Sequence, residues 1–261
     1  MEHRSVPDPR RYPWRLFFFL LAGSVLSVLA LLPYLYVVIE PILAGHPPPP
    51  LPLPVIALIQ GLTYFSVANG LGLLLARKIG LGAPFLEAWL YRKPYPAGRS
   101  WVWISCVTGL GLGFVILILL RSPLGAALAA LPVATEGSTP IWKRFLACFY
   151  GGLGEELVMR LFLMSLVAWL AGKVWKTTSG HPALGAFWLA NILVAIAFGA
   201  GHLPLAAQLT RLTPLLVTTV ISLNGVAALG FGYLYWKRGL ESAMLAHFSA
   251  DIVLHVLGPM F

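Results

Sequence analysis

The fold this sequence predicts is an all-α, polytopic transmembrane helix bundle of about seven spans, with room for an eighth. Two observations predict it. Of 261 residues, 59% are hydrophobic and 10% charged, and the mean hydropathy is +0.83; a soluble domain carries roughly 25% charged residues to cover its surface. The apolar residues also fall into runs close to or above the roughly 20 residues a helix needs to cross hydrocarbon. No hydrophilic stretch is long enough for a separate soluble domain. One membrane domain follows: a polar tail over 1–13, spans and loops over 14–144, and a helical core over 145–258.

The first span is expected from Trp14 to about Ile39, longer than a signal peptide's apolar region and without its small-residue end, so it reads as retained. A stiff turn follows at His46-Pro47-Pro48-Pro49-Pro50, where no helix can continue. The second span covers about Pro54–Ala76, and a polar loop, Arg77–Ser100, leads to a third at about Trp101–Leu120. Residues 121–144 mix Ala and Leu with Pro, Thr and Gly, as a short interfacial helix would. The remaining spans are expected at about Phe145–Ala171, Ala183–Leu203, Leu212–Trp236 and Leu240–Gly258. A short extra helix fits within 204–236.

The net charge is +9, yet the cations form no stripe for nucleic acid. They sit at the ends of apolar runs, where Lys and Arg meet lipid headgroups and set orientation. Thirteen fall on one side of the predicted topology and four on the other. That asymmetry favours a cytoplasmic N-terminus, in the cytoplasmic membrane if the source is bacterial. Cys106 and Cys148 lie in apolar segments, with neither a disulfide framework nor zinc spacing.

The eighteenth cation, Arg160, falls inside the fourth span together with Glu155 and Glu156. A charge at mid-membrane costs on the order of 2.5–3.5 kcal/mol on insertion scales, so three in six residues demand a reason. Glu156 and Arg160 are four apart, share a helix face and can pair. Glu155, about 100° around an α-helix, is then left to point elsewhere. The fifth span ends Phe198-Gly199-Ala200-Gly201-His202. The seventh carries His247 and Asp251 on one face, with His255 a turn further on. Intramembrane ionisable groups face one another or a water-filled cavity, so these groups are expected to converge on one pocket. Gly151, Gly152, Gly154, Gly199 and Gly201 would let the helices approach.

Such a pocket suits hydrolysis: a desolvated Glu can take a proton from water, a His can hold that water, and donors from another helix can stabilise an oxyanion. Glu155, His202 and His247 could also hold a divalent metal such as zinc. A proton relay in a transporter would use the same inventory.

Glu-Glu-x-x-x-Arg (Glu155, Glu156, Arg160), Phe-x-x-x-His (Phe198, His202) and His-x-x-x-Asp (His247, Asp251), in this order on three spans, resemble the CPBP family. That family groups type II CAAX prenyl proteases with bacteriocin-processing and Abi-like immunity proteins. Gly230-Phe231-Gly232 and the basic turn Lys237-Arg238-Gly239 resemble the family's glycine-bearing span, and Gly80–Leu90 its loop. The resemblance covers about 145–255. It implies intramembrane endopeptidase activity on a membrane-associated peptide or protein, with Glu155 and His202 handling the water. Glu156 and Arg160 would be supportive, and His247 with Asp251 would bind the oxyanion. Prenyl proteases have Asn where this chain has Asp251, which argues against prenylated substrates; an ionised Asp more readily orients His247 or binds a metal than donates to an oxyanion. The alternative reading is a non-enzymatic membrane scaffold, immunity protein or transporter.

Overall fold

The structure, a computed structural model, describes residues 12–44, 47, 49–96, 100–123, 125 and 139–260. Seven helices in it are long and apolar enough to cross a membrane. α1 is Trp14–Leu43, α2 Leu53–Lys78, α3 Pro84–Tyr91 and α4 Ser100–Leu120. α5 (Ile141–Phe149) runs on through π-helical Tyr150–Glu155 and Leu157–Met164 into α6 (Ser165–Val174), and together these make the fourth span. α7 is Leu184–Gly201, α8 Leu203–Leu209, α9 Pro214–Arg238 and α10 Leu240–Asp251, the last continued by a π-helical turn over Ile252–Leu257. Among the described residues the only extended pairing is an isolated bridge between Lys176 and Pro182.

The expected spans are therefore present, with two corrections. The fourth begins at Ile141 rather than Phe145 and reaches Val174, with α-helix at both ends and π-helical turns between them. The loop expected over 77–100 contains α3, and the short helix expected after residue 203 is α8; at 8 and 7 residues neither crosses a bilayer. The polar tail lies outside the described residues up to Arg11. So do His46 and Pro48 of the proline turn and most of the interfacial helix expected over 121–144.

The bundle is arranged as a bilayer solvent requires. Phe18, Trp103 and Ile118 face outward, while the core forms where the fourth span meets α2, α9 and α10: Leu73, Phe65, Leu157, Leu161, Met164, Phe231, Tyr235 and Leu240 are all buried. Cys148 is buried too, its thiol donating to Arg144 O at 3.3 Å. Several buried hydroxyls and amides bond to backbone carbonyls, as hydrocarbon favours. Ser24 donates to Leu20 O at 2.7 Å, and Asn191 donates to Leu229 O at 3.0 Å. α9 turns into α10 at Gly239, whose φ of 101° suits only glycine. α3 is tied to that turn: Glu241 Oε1 accepts from Leu86 N at 2.7 Å, and Phe85 stacks on Trp101 at 4.2 Å between centroids.

Candidate active site

The charged residues at the centre of the fourth span lie in its wide-wound stretch. A π-helix bonds i to i+5 and occurs mostly as short bulges at functional sites; here it spans most of 150–164. Glu155 and Glu156 project from this segment to opposite sides of one ring. Both reach His247 of α10. Glu156 Oε1 lies 2.8 Å from His247 Nδ1, and Glu155 Oε2 lies 3.8 Å from Nε2 of the same ring. Glu155 thus lies on the far side of the ring that Glu156 holds, away from Arg160's partner oxygen.

Glu156 is the sealed carboxylate, its side chain 0% exposed. Its other oxygen lies 3.3 Å from Arg160 Nε, the expected i,i+4 pair. Neither atom has a well-directed hydrogen bond, so the contact is a charge pair. Arg160 Nη2 donates to Ala228 O of α9 at 3.0 Å, and the guanidinium sits 5.4 Å from the Phe198 ring and 5.7 Å from the Phe231 ring. Aromatic faces stabilise a desolvated cation. One chain of contacts therefore runs from α9 through Arg160 and Glu156 to His247, crossing three spans.

The His247 ring is fixed on its other surfaces as well. Phe231 stacks on it at 4.5 Å and 19°, and Phe198 meets it edge-on at 5.7 Å. A carboxylate only accepts, so Nδ1–H is the donor to Glu156 and Nε2 is turned to the far side. There it meets Glu155 at 3.8 Å and Asp251 Oδ1 at 3.6 Å. Both separations exceed direct hydrogen-bond range, so these are charge contacts at the edge of a cavity. Gly151 admits this grouping: a Cβ there would overlap the Asp251 carboxylate and lie 3.2 Å from His247 Nε2.

Glu155, with 25% of its side chain exposed, faces a cavity of about 420 Å³. His202, His247, Asp251 and His255 line the same cavity, with apolar walls from α1, α4, α8 and α9. His202 stands apart from the cluster. Its Nδ1 donates to Phe198 O at 2.8 Å and its ring meets Phe198 edge-on at 4.9 Å. Because a carbonyl only accepts, its Nε2 carries the lone pair. None of the ion pairs among the described residues joins His202 to Glu155.

Three further polar side chains line the cavity: Tyr34, Tyr150 and Asn224. The Asn224 amide donates to Val220 O at 2.9 Å. An amide in the middle of an apolar span was a visible signal for that one; the tyrosines had none, since tyrosine is common near interfaces. Of the five glycines expected to allow close approach, Gly151, Gly152, Gly154 and Gly199 sit against a neighbour, Gly199 with Ile221 Cα 2.7 Å from where its Cβ would be. Gly201 has open space instead, because the chain has already left the packed part of α7 there.

Glu155, His202 and His247, the set that could hold a metal, do not converge. Among the described residues no three His, Cys, Asp or Glu side chains are arranged to hold a metal. Glu155 and Asp251 flank His247 Nε2 at 3.8 and 3.6 Å, but His202 remains with Phe198. The donor set as it stands does not fit a three-ligand site of the kind zinc requires.

Residues 137–253 match the family model described as type II CAAX prenyl endopeptidase Rce1-like. No curated protein and no solved structure matches the chain.

Proposed function

On the premise that residues 137–253 assign this chain to the CPBP family of CAAX-type intramembrane proteases, we propose that it hydrolyses peptide bonds with a glutamate-activated water. The observation that carries this reading is the contrast at Glu155: a partly exposed carboxylate on a cavity wall, 3.8 Å from His247 Nε2, while its neighbour Glu156 is sealed.

In this mechanism a water lies on the cavity side of Glu155, which takes one of its protons; His202 Nε2, its lone pair fixed by the bond from Nδ1 to Phe198 O, accepts a hydrogen bond from the O–H that stays intact. The remaining hydroxide adds to the peptide carbonyl carbon. His247, protonated on both nitrogens and held through Nδ1 by Glu156 and Arg160, donates Nε2–H to the carbonyl oxygen as it gains charge. Protonated Glu155 then gives its proton to the departing amine as the C–N bond breaks. Asp251 orients the Nε2 side of His247 rather than donating to the oxyanion. Of the two stabilisers the resemblance implies, His247, backed by Glu156, takes that role in this mechanism and Asp251 is secondary. Oxyanion stabilisation of this kind is worth roughly 10²–10³ in rate.

The test is product analysis by mass spectrometry after purified protein in lipid nanodiscs meets a panel of single-span membrane peptides. New peptide termini from the wild type that are absent with Glu155→Gln support the reading. Identical products from both proteins would refute it.

A further inference from the structure

A second cavity, of about 700 Å³, lies where α2 and α9 end and α3 begins. Arg77 from the last turn of α2, and Lys237 and Arg238 from the last turn of α9, stand on its walls. Among the described residues it shares no lining with the cavity at Glu155 and His247. Tyr235 forms part of its inner wall, fully buried and with its hydroxyl 2.8 Å from Ser165 Oγ. Its depth is that of the lipid headgroups. Two spans stop at it, α2 at Lys78 and α9 at Arg238, and α4 starts beside it at Ser100. Trp101 and Trp236 line it, and tryptophan rings collect at the membrane–water interface.

The charge on its walls is unbalanced. Three of the described lining residues are cations and one, Glu87, is a carboxylate, which already lies 3.5 Å from Lys93. Arg238 is half-buried and forms no ion pair among the described residues. Lys237 Nζ rests 3.7 Å from the centroid of the Trp236 ring, a contact that an anion can share. The start of α3 offers little in the way of backbone donors: Pro84 has no N–H, and Leu86 N is given to Glu241. Side chains must therefore do the binding. Single cations at helix ends are ordinary, since they meet headgroups and the C-terminal dipole. Here two helix ends place theirs around one concavity, of a size that small-molecule sites typically have.

We propose that this pocket binds a phosphate-bearing anion, supplied by the headgroup of an anionic phospholipid. Arg presents a planar fork that can pair two phosphate oxygens, and Lys adds a compact point charge. Basic pockets between spanning helices take anionic lipid headgroups in this way. A zwitterionic headgroup fits less well, because its own cation would be brought against Arg77, Lys237 and Arg238. The site stands apart from the proposed proteolysis and does not depend on it.

The test is lipid binding by the full chain, purified in detergent, stripped of lipid and titrated with phosphatidylglycerol or phosphatidylcholine, with bound lipid counted by native mass spectrometry. The expected result is that phosphatidylglycerol binds at least about tenfold more tightly, and that Lys237→Gln combined with Arg238→Gln brings it down to the level of phosphatidylcholine. Arg211→Gln removes a cation that lines neither cavity and should change the affinity less than about twofold. Should the double variant fail to fold, Lys237→Gln alone takes its place. That side chain is exposed, and a loss of at least about threefold is expected. Equal affinity for the two lipids, or a loss in Arg211→Gln as large as in the pocket variant, overturns the proposal. Millimolar inorganic phosphate is then added as competitor. Failure to displace phosphatidylglycerol supports the lipid as the source; complete displacement keeps the phosphate site and overturns the lipid as its source.

Discussion

Two halves of the site use the same residue types differently. In the sealed half, Arg160, Glu156 and His247 Nδ1 form a continuous chain at 3.3 and 2.8 Å, walled by Phe198 and Phe231. In the open half, Glu155, Asp251 and His247 Nε2 face one another at 3.6 to 3.8 Å across the edge of a cavity that His202 also lines. The first arrangement leaves no room for water and the second leaves room for one. Adjacent glutamates therefore differ in what they can do: one can only hold a ring, while the other can exchange a proton with something that enters.

The largest effect that would break this comparison lies in the sealed half. Arg160→Met alone leaves Glu156 buried without its counter-ion, and breaking a buried pair costs about 3–5 kcal/mol. Glu156→Gln combined with Arg160→Met removes both charges while keeping an amide oxygen for His247 Nδ1–H, so it is expected to lose less than the single change. Thermal unfolding in detergent of the two single variants and the double measures this, and additive losses would mean that the pair does not couple.

Next in size is Gly151→Ala, whose methyl would meet the Asp251 carboxylate. Over-packing of this kind costs about 1–3 kcal/mol, and cleavage should fall along with stability because the open half is pushed apart. Phe231→Leu sharpens the account of how His247 is held. It removes a ring stacked at 4.5 Å and is expected to cost about 1 kcal/mol beyond the lost area, with a lower kcat at nearly unchanged KM. The smallest expected effect is Asp251→Asn. At 3.6 Å from Nε2 this carboxylate is outside direct bonding range, so kcat/KM should change less than about tenfold, or 1.4 kcal/mol.

Much of the fold was legible because bilayer solvent imposes long apolar runs: all seven spans could be located before any geometry was known. The pairs within single helices, Glu156 with Arg160 and His247 with Asp251, were legible from four-residue spacing. The π-helical winding was not, since Gly151-Gly152-Leu153-Gly154 reads equally as a close-packing face, and only the neighbouring helices select the wider turn. The approach of Glu155 to His247, between two spans, was not legible either. The bond between Glu156 and His247 joins residues 91 apart, and no local pattern encodes such a partnership. α3 was missed for a similar reason: an eight-residue segment rich in aromatics is held as a helix by Glu241 and Trp101, both remote in sequence.

The comparison stands or falls on separating stability from turnover at the two glutamates. Glu155→Gln and Glu156→Gln, each purified in the same lipid, are to be measured for Tm and for single-turnover cleavage of one peptide that the wild type cuts. The account predicts that Glu155→Gln keeps the wild-type Tm and loses at least about a hundredfold in rate, the lower range for a positioned acid–base group. Glu156→Gln should lower Tm by several degrees. Near-wild-type cleavage by Glu155→Gln, or a loss of rate in both variants that only follows their loss of Tm, would contradict it.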